Sequence, residues 1–443
     1  MSDFDLAVIG AGPGGLEAAL RARELGLKTA LIEKKHPGGT CLNTGCIPTK
    51  ALLASAVHGL QPASVQIDYA AMVRRKNEIV TRLREAARNQ IQKSGLEWIE
   101  GEASLAGKGE IRIKAKTSSA IHARSILIAT GSEPADLPGL VLDHRHVLSS
   151  TDILELEQIP KTLLIVGAGA VGVEFASLFH ALGTKVTLVE ILPAILPVED
   201  PDCAKRLETL FSRSGMRILT ETKITSLQIQ KQVTAKLSTG EVLEVEKVLL
   251  AVGRKRVTER LGLEQAGVAL KKNGSIEVNE YLETTAPGIF AIGDVIDSPQ
   301  LAHVASHEGF CVAENLAGRK MKIDYSAIPS CVYSYPEVAS VGVRFAEHAT
   351  ELVEAKIPFA AVAKAQIEGK TDGFFKLYAW KLTGKVAGAS AVGAHVTELL
   401  PEVTLAVRLG LHVREISATV HAHPTESEVI SLAARELLKR LEA

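Results

Sequence analysis

LAVIGAGPGGLEAAL, residues 6–20, is an apolar run that breaks into G-x-G-x-x-G and resumes with helical periodicity. Laid on itself at an offset of 157, the chain shows the same pattern again as LLIVGAGAVGVEFAS, residues 163–177. Gly10, Gly12 and Gly15 fall on Gly167, Gly169 and Gly172, Glu17 falls on Glu174, Gly26 on Gly183 and Glu33 on Glu190. Each copy predicts a strand, a tight turn, a helix and a second strand, KTALIE or KVTLVE, that ends on glutamate 18 residues past the last glycine. The glycines permit a tight turn, close backbone approach to a pyrophosphate and helix-to-strand packing, while the helix N-terminus supplies N–H donors and positive dipole. A single G-x-G-x-x-G is a weak signal, because Gly-rich turns open many βα units. Two copies in matching context predict two dinucleotide sites.

Composition narrows the field. A chain of 443 residues is long for one core and suggests about three domains. Its 50 Lys+Arg against 51 Asp+Glu leave a net charge of -1 with no basic or acidic run, which argues against nucleic acid or an anionic membrane as partner. The first apolar run, LAVIG, is too short for a signal sequence or a span and follows acidic Asp3 and Asp5, so a cytoplasmic protein is expected.

Further along, SILIATGS (125–132) and KVLLAVGR (247–254) predict late strands running into glycine turns, one per unit. TTAPGIFAIGDV (284–295) predicts another strand ending in Gly293 and Asp294, where open α/β sheets bind ligands and a carboxylate can hold a ribityl or ribose hydroxyl. The C-terminal third changes character. FFKLYAW and VAGASAV, joined by KLTGK, predict antiparallel hairpins, followed by amphipathic helices at 396–410 and 425–442.

Only five cysteines occur, and two of them, Cys41 and Cys46, lie in GGTCLNTGCIPTK (38–50). Four readings compete: a structural disulfide, half of a metal site, two unrelated core thiols, or a redox pair that opens and closes in turnover. The scarcity of cysteine disfavours a structural bridge, and a zinc site lacks its second ligand pair, so no metal is expected. Beside two dinucleotide sites, a redox pair is the best reading. The helix predicted from CIPTKALLASAV puts Cys46 in its first turn, where dipole and N–H groups favour a thiolate.

With these pieces together the sequence resembles the pyridine nucleotide-disulfide oxidoreductases nearly end to end. The resemblance is carried by GGTCLNTGCIPTK, the paired fingerprints, TTAPGIFAIGDV, LAHVASHEG (301–309), YPEVASVG (335–342) and HAHPTESE (421–428). It implies an α/β protein with two Rossmann-like dinucleotide-binding domains, for FAD and NAD, and a C-terminal α+β dimerisation domain. The expected boundaries are 1–146 for the first part of the FAD domain, 147–266 for the NAD domain, 267–325 for a central segment completing the FAD domain, and 326–443 for the interface.

By the same resemblance Gly10, Gly12 and Gly15 hold FAD, and Gly167, Gly169 and Gly172 hold NAD(H). Glu33, Lys50, Thr130, Gly131, Asp294, Ala302, His303, Glu174, Glu190 and Gly253 are the other cofactor positions, with Lys50 also catalytic and Glu174 its ion-pair partner. Cys46 is the thiol facing the flavin and Cys41 the outer thiol that exchanges with substrate. Of the two histidines in HAHPTESE, the match selects His423 as base, with Glu428 to orient it. The implied partners are a second copy of the chain, in a homodimer, and the lipoyl groups of a 2-oxo-acid dehydrogenase or glycine-cleavage complex. The alternative is a related NAD(P)H-dependent disulfide reductase. Three positions depart from the family pattern: Thr49, where Ser is usual, Glu426, where an apolar residue is usual, and His307, where an acidic one is common.

Overall fold

The computed structural model describes residues 3–56, 67–107 and 109–442. The chain divides into two compact units, one formed by residues 1–52, 70–135 and 254–323 and the other by 53–69, 136–253 and 324–443.

In the first unit the run Leu6–Ile9 is buried on both faces, as a central parallel strand must be. Strand Phe4–Ile9 pairs in parallel with Thr29–Glu33 on one side and Ser119–Ile128 on the other, in registers Leu6↔Thr29 and Leu6↔Ser125. Glu97–Glu100 extends one edge. Ile289–Ala291, from TTAPGIFAIGDV, joins in parallel beside Ser119–Ile128. Helix Pro13–Glu24 lies against helix Ala302–Leu316 at very short range: a Cβ on Gly309 would stand 2.2 Å from the Gly14 carbonyl oxygen.

The second unit repeats this plan. Thr162–Val166 is flanked in parallel by Lys185–Val189 and Lys247–Leu250, with Ala170–Ala181 as the fingerprint helix. A three-stranded antiparallel sheet spans Ile224–Val245. The C-terminal part of the unit is a five-stranded antiparallel sheet in the order Ser330–Val332, Glu337–Gly342, Val386–Gly393, Phe374–Trp380, Leu352–Pro358. Helices Val396–Leu409 and Glu428–Glu442 share its core through Leu400, Val403, Val429 and Ile430. The last helix starts at Glu428 rather than 425, because Thr425–Ser427 form a turn bonded back on itself.

The strand Phe374–Trp380 is buried on both faces, including Lys376 at 4% exposure. Its ammonium lies 3.1 Å from each oxygen of Asp200, 2.9 Å from Asp202 Oδ2 and 3.5 Å from Glu354 Oε2. Asp200 also accepts the Tyr378 hydroxyl at 3.0 Å and caps helix Pro201–Arg213 through the Asp202 and Cys203 N–H groups. Hydrogen bonds from Lys376 and Lys356 hold Asp202 down at about 2. Removing the central cation strands the buried Asp200 carboxylate, so Lys376→Met should cost about 3–5 kcal/mol in urea unfolding at pH 7. A depressed carboxylate stabilises above its unfolded value near ~4 and loses that contribution as pH falls toward ~2. The wild type should therefore lose stability steeply across that interval, and Lys376→Met less so.

Candidate active site

The two fingerprints are built alike to the level of single atoms. A Cβ on Gly15 would stand 1.9 Å from the Gly10 carbonyl oxygen, and one on Gly172 would stand 1.9 Å from that of Gly167. These glycines let each helix start directly on its strand. Gly12 and Gly169, the helix N-caps, face open space, with no atom within 4 Å of the Cβ position. Neither helix has a side-chain cap or an acidic first turn. Each cradle thus offers uncapped N–H donors beside a space that any side chain would fill, which fits a pyrophosphate.

The closing glutamates repeat the pattern. Glu33 accepts the Ala11 N–H at 2.8 Å and the Lys35 N–H at 2.8 Å, and Glu190 accepts the Ala168 N–H at 2.6 Å and the Leu192 N–H at 2.9 Å. Each carboxylate is fixed beside its glycine turn with lone pairs left for a ribose.

Thr130 and Gly131 follow strand Ser119–Ile128, and the Thr130 hydroxyl donates to the Val257 carbonyl at 2.6 Å. Asp294 follows strand Ile289–Ala291, accepts the Ser132 hydroxyl and lies 3.7 Å from Arg254 Nε. Ala302 and His303 open the helix packed on the first fingerprint helix. The turn before Asp294 is secured by Glu308, wholly buried, which accepts the Gly293 N–H at 2.6 Å. In the second unit Gly253 lies in the turn after strand Lys247–Leu250, and buried Glu174 accepts the Tyr333 N–H at 3.1 Å.

Cys41 lies in the short helix Gly39–Thr44 and Cys46 is the first residue of the helix Cys46–Ala56, which also carries Lys50. Neither cysteine is in a disulfide, and the two are partly buried and within hydrogen-bonding reach of one another. That hydrogen bond, then burial, pushes Cys41 well above the ordinary thiol range, while the Lys50 charge opposes the rise. The loop between the thiols is held by Asn43, whose amide donates to the Pro37 and Gly39 carbonyls at 3.0 and 2.8 Å and accepts from Arg84 Nε at 2.8 Å. Asn43 sits inside CLNTGC but carries no chemistry of its own, so a search for reactive groups passes over it. Arg84 lies 41 residues away on helix Tyr69–Ser94, with nothing in the sequence to join the two.

His423 Nδ1 lies 2.9 Å from Glu428 Oε1, and Glu428 Oε2 accepts the Thr425 N–H at 3.0 Å. This orients an imidazole that is 70% exposed. The hydrogen bond from His423 keeps Glu428 below the usual carboxylate range. His421 is engaged on both ring nitrogens, by Glu402 and by the Thr419 carbonyl, which leaves His423 as the histidine of the pair with a ring nitrogen to offer.

The family model for pyridine nucleotide-disulphide oxidoreductase matches residues 4–309, and that for the dimerisation domain of the same family matches 328–434. The chain belongs to the pyridine nucleotide-disulphide oxidoreductase family. It is 42% identical to the dihydrolipoyl dehydrogenase of Chlamydia trachomatis over 96% of this chain and 95% of the relative, and 37% identical to that of Bacillus subtilis over 98% of each. Among solved structures, LpdA from Mycobacterium tuberculosis superposes with a TM-score of 0.93 at 27% identity, covering 98% of this chain and 99% of the other. This member of the family is an oxidoreductase whose cofactors are FAD and NAD. Among the described residues, no helix is long and apolar enough to cross a membrane.

The fixed carboxylate of Glu190 generates the first test of the site. A 2'-phosphate brings about -1.5 to -2 charges, and like charges about 4 Å apart at an effective dielectric near 20 repel by several kcal/mol. Steady-state kinetics should favour NAD+ over NADP+ by at least about a hundredfold in kcat/KM, and Glu190→Gln should narrow the gap.

Proposed function

We propose that the enzyme oxidises protein-bound dihydrolipoamide to lipoamide while reducing NAD+ to NADH. The observation that carries this reading is the proximity of Cys41 and Cys46 in a chain with two dinucleotide cradles. The dihydrolipoyl dehydrogenases at 42 and 37% identity support the choice of substrate, and Glu190 the choice of nucleotide.

At neutral pH only a few per cent of a dithiol with pKa near ~8.5 is thiolate, so a positioned base is useful. His423 takes a proton from one substrate thiol, its imidazolium steadied by Glu428. The thiolate attacks Cys41 Sγ, forming a mixed disulfide and breaking the Cys41–Cys46 bond, with Cys46 leaving as thiolate at its helix N-terminus. The second substrate thiol then displaces Cys41 Sγ, its proton passing to that sulfur as it leaves, which closes the substrate disulfide and leaves Cys41 as thiol and Cys46 as thiolate. When bound, FAD supplies the route by which the electron pair reaches NAD+. Gly10, Gly12, Gly15, Glu33, Thr130, Gly131, Asp294, Ala302 and His303 would hold FAD, with Lys50 beside it, and Gly167, Gly169, Gly172, Glu174, Glu190 and Gly253 would hold NAD. A cytoplasmic homodimer serving the lipoyl groups of a 2-oxo-acid dehydrogenase or glycine-cleavage complex completes the reading, and the dimerisation-domain match supports the dimer.

NADH formation from dihydrolipoamide should greatly exceed NADPH-driven reduction of glutathione disulfide, and the reverse ranking would make the enzyme a disulfide reductase instead. Cys41→Ser and His423→Ala homodimers should each be nearly inactive. If the histidine of one protomer serves the cysteines of its partner, random co-assembly should restore about a quarter of wild-type activity, since half the dimers are mixed and one of their two sites is whole. A mixed pool as inactive as its parents, with heterodimers confirmed by differential tags, would place the histidine in its own chain's site.

A further inference from the structure

Glu426 departs from the family pattern, and its surroundings are unusual. It lies on the turn between His423 and Glu428 and is 9% exposed. Its Oε1 is fully buried with no hydrogen-bond partner among the described residues. A buried carboxylate oxygen without a donor is unfavourable unless a cation compensates it, and burial pushes Glu426 above the usual carboxylate range. His395, at φ 56 before helix Val396–Leu409, and Glu368, at the end of the short helix Ala363–Glu368, converge on it. One ligand atom of each of the three residues lies within 4.8 Å of those of the other two.

The present neighbours show how the lone pairs are aimed. Lys370 Nζ lies 3.0 Å from His395 Nε2 and 3.0 Å from Glu368 Oε2, and Lys364 Nζ lies 2.7 Å from Glu368 Oε1. An ammonium only donates, so Nε2 of His395 is the accepting nitrogen and its lone pair points into the cluster. An exposed lysine therefore occupies the cation position without satisfying Glu426 Oε1.

We propose that Glu368, His395 and Glu426 form a site for a divalent transition-metal ion, with Zn2+ the best fit, which displaces Lys370. One imidazole nitrogen and two carboxylate oxygens suit zinc, with water as fourth ligand, and the imidazole disfavours Mg2+ and Ca2+. Ligands at about 2.0–2.1 Å around a tetrahedral ion stand roughly 3.3 Å apart, so the exposed Glu368 and His395 side chains close in by up to about 1.5 Å. The bound ion braces the turn that holds His423 to Glu428, tying it to two other segments of the second unit. The site takes no part in the disulfide chemistry and is independent of the substrate proposed above.

The test is equilibrium dialysis of the oxidised, FAD-loaded enzyme against Zn2+, with metal quantified by mass spectrometry. The oxidised form keeps Cys41 and Cys46 out of the ligand set. One ion per chain is expected, bound at least tenfold more weakly by His395→Ala and by Glu426→Gln. Lys370→Ala, an exposed change that leaves the fold intact, should bind it about tenfold more tightly, because a competing positive charge is gone. Failure of Lys370→Ala to tighten binding overturns the proposal. So does zinc retention undiminished in both ligand variants, or no saturable binding by the dimer, which would mean that another group satisfies Glu426.

Discussion

The contact between Gly15 and the Gly10 carbonyl, repeated between Gly172 and Gly167, is the constraint on which both nucleotide units depend. At 1.9 Å from that oxygen a Cβ has nowhere to go, so the helix can begin on its strand only if this position is glycine. The close start aims the first-turn N–H groups at the open space beside Gly12 or Gly169, and the next strand brings Glu33 or Glu190 to the same turn. Packing and ligand recognition are therefore one requirement: a side chain at the third glycine pushes the helix away, and one at the second fills the cradle.

On this frame the redox pair is held in place by groups that do not react. Asn43 bridges two carbonyls of its own loop and is gripped by Arg84 from a separate helix. The helix that begins at Cys46 sets that thiol at a positive dipole end, and Lys50 adds a charge one turn on. The hydrogen bond to Cys46 and burial push Cys41 above the ordinary thiol range. In the proposed mechanism the thiolate falls on Cys46, at the helix start, and the Cys41 sulfur exchanges with substrate. In the second unit, Glu428 plays the corresponding supporting part for His423, orienting the ring through Nδ1 and closing the preceding turn with its other oxygen.

Much of this was legible because it is local. The glycine spacing, the closing glutamates, the strand LAVI and the start of the helix at Cys46 each depend on residues a few positions apart, and the 157-residue repeat doubles the signal. What the sequence hid is long-range. FFKLYAW reads as an alternating strand, yet Lys376 and Tyr378 are buried because Asp200, some 176 residues earlier, receives both. Arg84 and Glu308 look like surface charges until the fold brings them to Asn43 and to the Gly293 turn. Glu368, His395 and Glu426 are scattered across 59 positions with no motif spacing, so nothing in the sequence joins them. The roles of Cys41, Cys46 and His423 came from the family motif, because spacing by itself left several readings of the cysteines open.

The central claim is that the Cys41–Cys46 bond opens and closes in each turnover. Thiols of the denatured, oxidised enzyme should be counted and mapped before and after anaerobic incubation with dihydrolipoamide, and again after NAD+ is added. Reduction should expose a pair of thiols located by peptide mapping at Cys41 and Cys46, and NAD+ should remove that pair with one NADH formed per pair. NADH formation while the mapped thiols at Cys41 and Cys46 stay unchanged throughout would contradict the account.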